Sequence, residues 1–285
     1  MAILNIQSLW NWDDPAASER AFRGAAGEAL SHADALEYET QIARAEGLQR
    51  KFDEAHATLD IVERALPATT NAPVVEVRYL LERGRVFNSS GKPDKARPLF
   101  LTAWDKARAG KFDFLTVDAA HMMGIIEPPD AALEWNEKAV ALAEKSPDLQ
   151  AQGWLGALYN NIGWTYYDKR EFAKALDYFE RDRKWYESRN AAKEVLIARY
   201  SIGKTYRALG RYEEALALQR ELLKLTPDDG HVHEEIAECL LALGKTAEAR
   251  LAFGRAYVLL ANDEWFAANE PKRLARLKQL SAAAN

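Results

Sequence analysis

The sequence predicts an all-α chain assembled from repeated helix pairs, and two observations carry that expectation. Runs of alternating β-branched residues are missing, while Ala, Leu, Glu, Lys and Arg dominate. A pattern of small and aromatic residues also recurs, most clearly over 198–229, where Ile202-Gly203, Tyr206, Gly210, Ala215 and Pro227 follow in order. Each has a physical role. Gly203 on a first helix and Ala215 on a second are the points where two backbones could approach closely. Ile202 and Tyr206, four residues apart, fill one helix face around that contact. Gly210 can take the left-handed cap, and Pro227 cannot continue the second helix.

This signature resembles the tetratricopeptide repeat, a 34-residue helix–turn–helix unit. The resemblance implies a right-handed superhelix of antiparallel helix pairs, an α-solenoid with terminal capping helices, in which each unit touches only its neighbours.

The second-helix alanine serves as a register mark. Candidates are Ala17, Ala55, Ala96, Ala132, Ala175, Ala215 and Ala249, spaced 34 to 43 residues apart. Residues 1–33 read as an N-terminal capping segment. Asp13-Asp14-Pro15 reads as a helix start, an Asp cap followed by proline in the first turn, and Trp10 and Trp12 are expected to pack under it. About six hairpins follow over 34–263. Ile42-Ala43 with Phe52 and Ala55 mark the first, and 67–73 forms a polar loop. Gly84, Gly91, Ala96 and Phe100 mark the next. A degenerate hairpin holds Ala119-Ala120, Met123 and Ala132, with Pro128-Pro129 in place of a turn glycine. The strongest lie at 156–189, 196–229 and 230–263, marked by Gly163, Gly203 and Ala237. Residues 264–285 read as a C-terminal capping helix, with Leu274, Leu277 and Leu280 on one face.

Composition narrows the function. The chain of 285 residues carries a net charge of −5 with acids and bases interspersed, which disfavours a nucleic-acid partner. No apolar run approaches the length of a membrane helix, and the N-terminal stretch lacks the basic region of a signal peptide; a cytoplasmic protein with no membrane partner is expected. The single cysteine, Cys239, excludes an internal disulfide. Gly203-Lys204-Thr205 and Gly244-Lys245-Thr246 imitate the end of a phosphate-binding loop, but Ala198 and Cys239 stand where its first glycine belongs. His231 and His233 begin an HExxA sequence that lacks the second zinc histidine. No catalytic constellation, metal site or cofactor is expected, and the chain reads as non-catalytic.

In the resembled family, first helices line a concave groove that binds peptides or extended protein segments. Register then implies groove positions at Ala157, Asn160, Trp164, Tyr167 and Asp168; at Ile197, Tyr200, Lys204, Arg207 and Ala208; and at Arg78, Arg85, Asn88, His121 and Arg44. Because these include five bases in an acidic chain, the carboxylates are expected mostly on the outer face. An extended partner with an acidic group or free C-terminal carboxylate, and an apolar or aromatic anchor, would suit such a groove. The competing expectation is that Trp164 and Tyr200 belong to the inter-repeat core and that the bases pair with neighbouring acids. The lysine–asparagine carboxylate clamp of chaperone-binding members is not reproduced, since Trp164 stands where it would place asparagine. A protein-interaction scaffold leads. A ligand-responsive sensor, or a homo-oligomer formed through Trp104, Trp135 or Trp185, is the alternative.

Overall fold

A computed structural model of the chain describes residues 6–69 and 72–282. The parts of the terminal segments at 1–5 and 283–285, and Thr70-Asn71 of the 67–73 loop, lie outside the described residues. The described residues contain helices and turns and no strand. The fold is an all-α solenoid of helix pairs. It divides into two compact units, Met1–Leu158 and Tyr159–Asn285.

The first unit opens with a 3-10 turn, Ile6–Leu9, and helix α1, Pro15–Gly27. Asp14 caps α1 by accepting the Ala17 amide at 2.9 Å. Trp10 meets Phe22 of α1 edge-on at 5.0 Å and stacks on Trp12 at 4.3 Å. Three pairs follow: α2 (His32–Leu48) with α3 (Phe52–Ala65), α4 (Pro73–Ser89) with α5 (Pro93–Gly110), and α6 (Asp113–Ile126) with α7 (Pro129–Lys145). A single turn, α8 (Leu149–Gln152), packs on α6.

Helix α9 (Leu155–Asp168) begins four residues before the unit boundary. The second unit pairs it with α10 (Phe172–Glu187), then α11 (Ala192–Ala208) with α12 (Tyr212–Leu225), and α13 (Gly230–Ala242) with α14 (Thr246–Ala261). The segment read as one capping helix holds two, α15 (Glu264–Asn269) and α16 (Pro271–Ala282). Asp263 caps the first, and α16 lies on α14 with Leu277 buried.

The register alanines Ala55, Ala96, Ala132, Ala175, Ala215 and Ala249 are all buried, whereas Ala17 is half-exposed and Ser18 beside it is fully buried. Ser18 can be buried because its hydroxyl donates to the Asn11 carbonyl and accepts the Asn11 amide. The first-helix glycines meet a different residue from the expected alanine. A Cβ on Gly84 would lie 2.4 Å from the Phe100 ring, one on Gly163 2.5 Å from Phe179, and one on Gly203 2.6 Å from Gln219. The side chain four residues after each alanine is a wedge, and the glycine is the notch that admits it. Leu59, Phe100, Phe179 and Phe253 fill that position as apolar wedges; Asn136 and Gln219 fill it with buried amides.

Most turns within pairs use one left-handed residue. It is Gly91, Gly210 or Gly244 in three turns, but Arg50 and Arg170 in two others, at φ of 63° and 60°. The turn between α6 and α7 uses Pro128 instead, preceded by Glu127 in extended backbone, as Pro128 demands.

Candidate functional site

In the first unit side chains of α2, α4 and α6 form an ionic ladder. Arg44 on α2 lies 3.6 Å from Glu82 on α4. Arg85 donates to Glu82 at 2.6 Å and pairs with Asp118 on α6. Arg78 donates to Glu37 at 2.7 Å. Glu82 and Asp118 are only 1% and 2% exposed. Burial alone would raise the Asp118 carboxyl, but the Arg85 and Arg44 charges outweigh it and hold the group below its usual range. Burial pushes the His121 imidazole down to about 4, so it is neutral at pH 7.

Glu37, Glu82 and Asp118 stand among the bases, so the ladder is internally neutralised and the alternative of pairing with neighbouring acids holds for Arg78 and Arg85. The pattern was readable from register. The base directly after the small residue of one first helix (Arg44, Arg85, Lys204) reaches the acid two residues before the small residue of the next (Glu82, Asp118, Glu235).

Two cavities flank this ladder, of about 300 Å³ and about 310 Å³. The first is lined in part by Arg85, Asn88 and His121, the second by Trp12 and Phe114, and both by Arg44 and Trp154. Trp154 had no sequence signal beyond its place in the long gap between register marks. Its ring lies 4.8 Å from His121 and 6.1 Å from Phe114.

In the second unit, Asn160, Trp164 and Tyr167 share one face of α9, by the spacing of a helical turn. Asn160 has a buried carboxamide oxygen without a hydrogen-bond partner. Trp164 is half-buried, with Tyr167 and Phe179 edge-on at 5.3 and 5.1 Å. It is thus part core and part surface. The Lys204 ammonium sits over the Trp164 and Tyr200 rings at 5.7 and 5.8 Å. Arg207 takes both oxygens of Glu235, at 2.6 and 3.0 Å, and Lys204 approaches the same carboxylate at 3.7 Å. Two bases therefore share one acid, and one positive charge is left over. Tyr200 and Ile197 line a mostly apolar cavity of about 250 Å³ with Leu196 and Val232. Burial, followed by the Glu235 charge, raises the Tyr200 hydroxyl well above its usual range.

The tryptophans considered for self-association are covered by neighbouring side chains. Trp104 is 9% exposed and meets Trp135 edge-on at 5.1 Å, with Lys138 over Trp135 at 4.5 Å. Arg189 covers Trp185 at 3.0 Å. Cys239 is buried, and burial raises its thiol to about 12, which leaves it unreactive at pH 7. Among the described residues no helix is long and apolar enough to cross a membrane.

Comparison with known proteins places these faces in a family context. Residues 155–188 and 200–264 match tetratricopeptide-repeat family models. No curated protein matches the sequence. Among solved structures, the chain is similar to the apo form of RapI, with 12% identity, 98% of this chain and 79% of that one covered, and a TM-score of 0.76. It is similar to the apo form of the quorum sensor NprR from B. thuringiensis, with 16% identity, 98% and 80% covered, and a TM-score of 0.69. It is also similar to NprR in complex with its cognate peptide NprX, with 17% identity, 96% and 81% covered, and a TM-score of 0.60.

Proposed function

We propose that this chain, whose residues 155–188 and 200–264 match tetratricopeptide-repeat models, is a non-catalytic interaction scaffold of that family that takes an extended peptide or protein segment on the inner faces of its first helices. The observation that carries this reading is Asn160. Its buried carboxamide oxygen has no partner among the described residues, and a buried acceptor left unmade is costly. A backbone N–H of an extended segment would supply the missing donor, with Trp164 and Tyr167 beside it on the same helix face. Ile197 and Tyr200 would take an apolar anchor. The preference for an acidic partner narrows to one group facing Lys204, because the other bases of these faces already have carboxylates.

The test is selection of binding peptides from a random library on the folded protein, followed by calorimetry on the selected peptides. Asn160→Ala and Trp164→Ala are each expected to weaken binding about tenfold or more. Peptides that bind both variants as tightly as the unaltered protein would place docking elsewhere. Reversal of the acidic residue in a selected peptide is expected to lose affinity for the unaltered protein and not for Lys204→Met.

A second reading, a sensor whose bound peptide alters its other contacts, is favoured by the likeness to NprR, a quorum sensor solved with a cognate peptide. At 17% identity or less that likeness supports the fold, and the ligand reading rests on the inner-face chemistry. It predicts a ligand-dependent change in small-angle scattering.

A further inference from the structure

Among the described residues of the first unit, two side chains, Arg44 and Trp154, donate no hydrogen bond. Arg78 and Arg85 each donate to a carboxylate, but Arg44 has no hydrogen-bond partner among the described residues. Its nearest carboxylate oxygen, on Glu82, is 3.6 Å away, and its guanidinium sits over Trp10 and Trp12 at 5.5 and 5.0 Å. Trp154 Nε1 is a buried donor with no partner. Both side chains line both cavities of that unit. Arg44, whose guanidinium makes no hydrogen bond among the described residues, and Trp154, whose indole N–H has none, therefore stand together where the two cavities share their lining, each packed on aromatic rings.

What fits such a place is a group with acceptors only, able to engage a guanidinium and a neighbouring N–H together. A carboxylate does so, since its two oxygens match donors on separate groups. A dianion fits less well, because the carboxylates of Glu82 and Asp118 lie close by and already match the charges of Arg85 and Arg44. The unpartnered oxygen of Glu82 does not line either cavity, so it neither competes for a ligand's donors nor repels at contact distance. The cavity walls beside the junction are apolar: Leu48, Val86, Met122 and Ile125 on one side, Trp12 and Phe114 on the other. Burial and the like charges of Arg85 and Arg78 lower the Arg44 pKa despite Glu82 and Asp118.

We propose that this junction binds a carboxylate carried on an apolar group, with Arg44 and Trp154 Nε1 donating to its oxygens and the aliphatic wall taking the substituent. The C-terminal carboxylate of a peptide ending in an apolar residue and a small apolar carboxylic acid present this same chemistry. The peptide source rests on the docking reading given above; the small-acid source stands without it.

Calorimetry on the full chain with four probes tests the proposal: N-acetyl-leucine, N-acetyl-leucinamide, and the peptide Ala-Ala-Ala-Leu with a free and with an amidated C-terminus. At least one free acid is expected to bind, and its amide to bind at least about tenfold more weakly. Arg44→Met keeps the chain length, removes the donors and is expected to abolish the difference. Trp154→Phe keeps a ring and removes the N–H, and is expected to weaken the acid about threefold or more. Equal binding of acid and amide, binding of neither acid, or full acid affinity in Arg44→Met would overturn the proposal. The acid–amide comparison uses the unaltered protein, so a folding defect in a variant leaves it decisive. Binding of the peptide acid alone assigns the peptide source. Binding of N-acetyl-leucine alone assigns a small acid and leaves the docking reading to stand or fall on Asn160 and Trp164.

Discussion

Arg207 holds Glu235 at two points, Nε to Oε2 at 2.6 Å and Nη2 to Oε1 at 3.0 Å, across the gap between α11 and α13. Glu235 is 2% exposed. Removing Arg207 leaves the buried Glu235 with only the longer Lys204 contact at 3.7 Å, and the loss of its closer partner costs up to about 3 kcal/mol. Arg207→Leu is therefore expected to lower the urea midpoint clearly, and Arg207→Leu with Glu235→Leu to recover most of the loss. If the single and double variants unfold alike, the pair is not what is being read. A charge reversal at Arg207 would set two carboxylates together and report on folding rather than on a ligand. Lys204→Met spares the grip and is the cleaner probe of binding.

Asp182 on α10 gives a pH dependence of stability. It is 1% exposed, one carboxyl oxygen has no partner, and burial pushes its pKa up to about 7. The folded pKa lies above the unfolded value of about 3.9, so folding takes up a proton between them. The stabilising contribution is complete below about pH 4 and is lost as pH rises through about 7. Asp182→Asn removes the charge that burial opposes. Its melting temperature is expected to exceed that of the unaltered protein at pH 8, with the gap closing towards pH 5. Parallel melting curves across that range would refute the account. His121 works in the opposite sense: its folded pKa is depressed to about 4, so its contribution is lost as pH falls below about 6.5. The difference between the two proteins cancels it.

Arg170 occupies the turn position that Gly91, Gly210 and Gly244 occupy elsewhere, at φ 60°. The turn closes the same way in each case. Arg170 and Glu171 donate to the Tyr167 and Tyr166 carbonyls at 2.9 Å, as Gly210 and Arg211 donate to Arg207 and Tyr206 at 3.0 and 2.9 Å. A left-handed conformation costs a residue with a Cβ about 1 kcal/mol. Arg170→Gly relieves that cost, partly offset by the freer unfolded chain, and is expected to raise stability by up to about 1 kcal/mol. Calorimetric melting checks it.

The fold class was legible because small residues at fixed register have only one use in a helical chain, to let another element come close. Gly84 and Gly163 could be picked out on that ground, although their partner is the wedge four residues past the alanine and not the alanine itself. Arg50 and Arg170 were illegible as left-handed turns, since the hydrogen bonds that close the turn use backbone alone. At the candidate site, single-chain register located Arg44, Arg85, Lys204 and Arg207. It missed the acids they face because charge was summed over the whole chain, whereas pairing is decided between adjacent repeats. Trp154 escaped because it lies between register marks, on a stretch whose course depends on packing against α6.

The amide wedges Asn136 and Gln219 bear on how the chain breathes. Each buries a carbonyl oxygen that nothing satisfies, where Phe100, Phe179 and Phe253 bury a ring. In an array held by nearest neighbours, a weak interface is not averaged away by the rest. Local opening will therefore concentrate in the α6–α7 and α11–α12 pairs, one in each compact unit, each beside a pair wedged by phenylalanine. Hydrogen exchange should find their amides the fastest of the interior helices, well ahead of global unfolding.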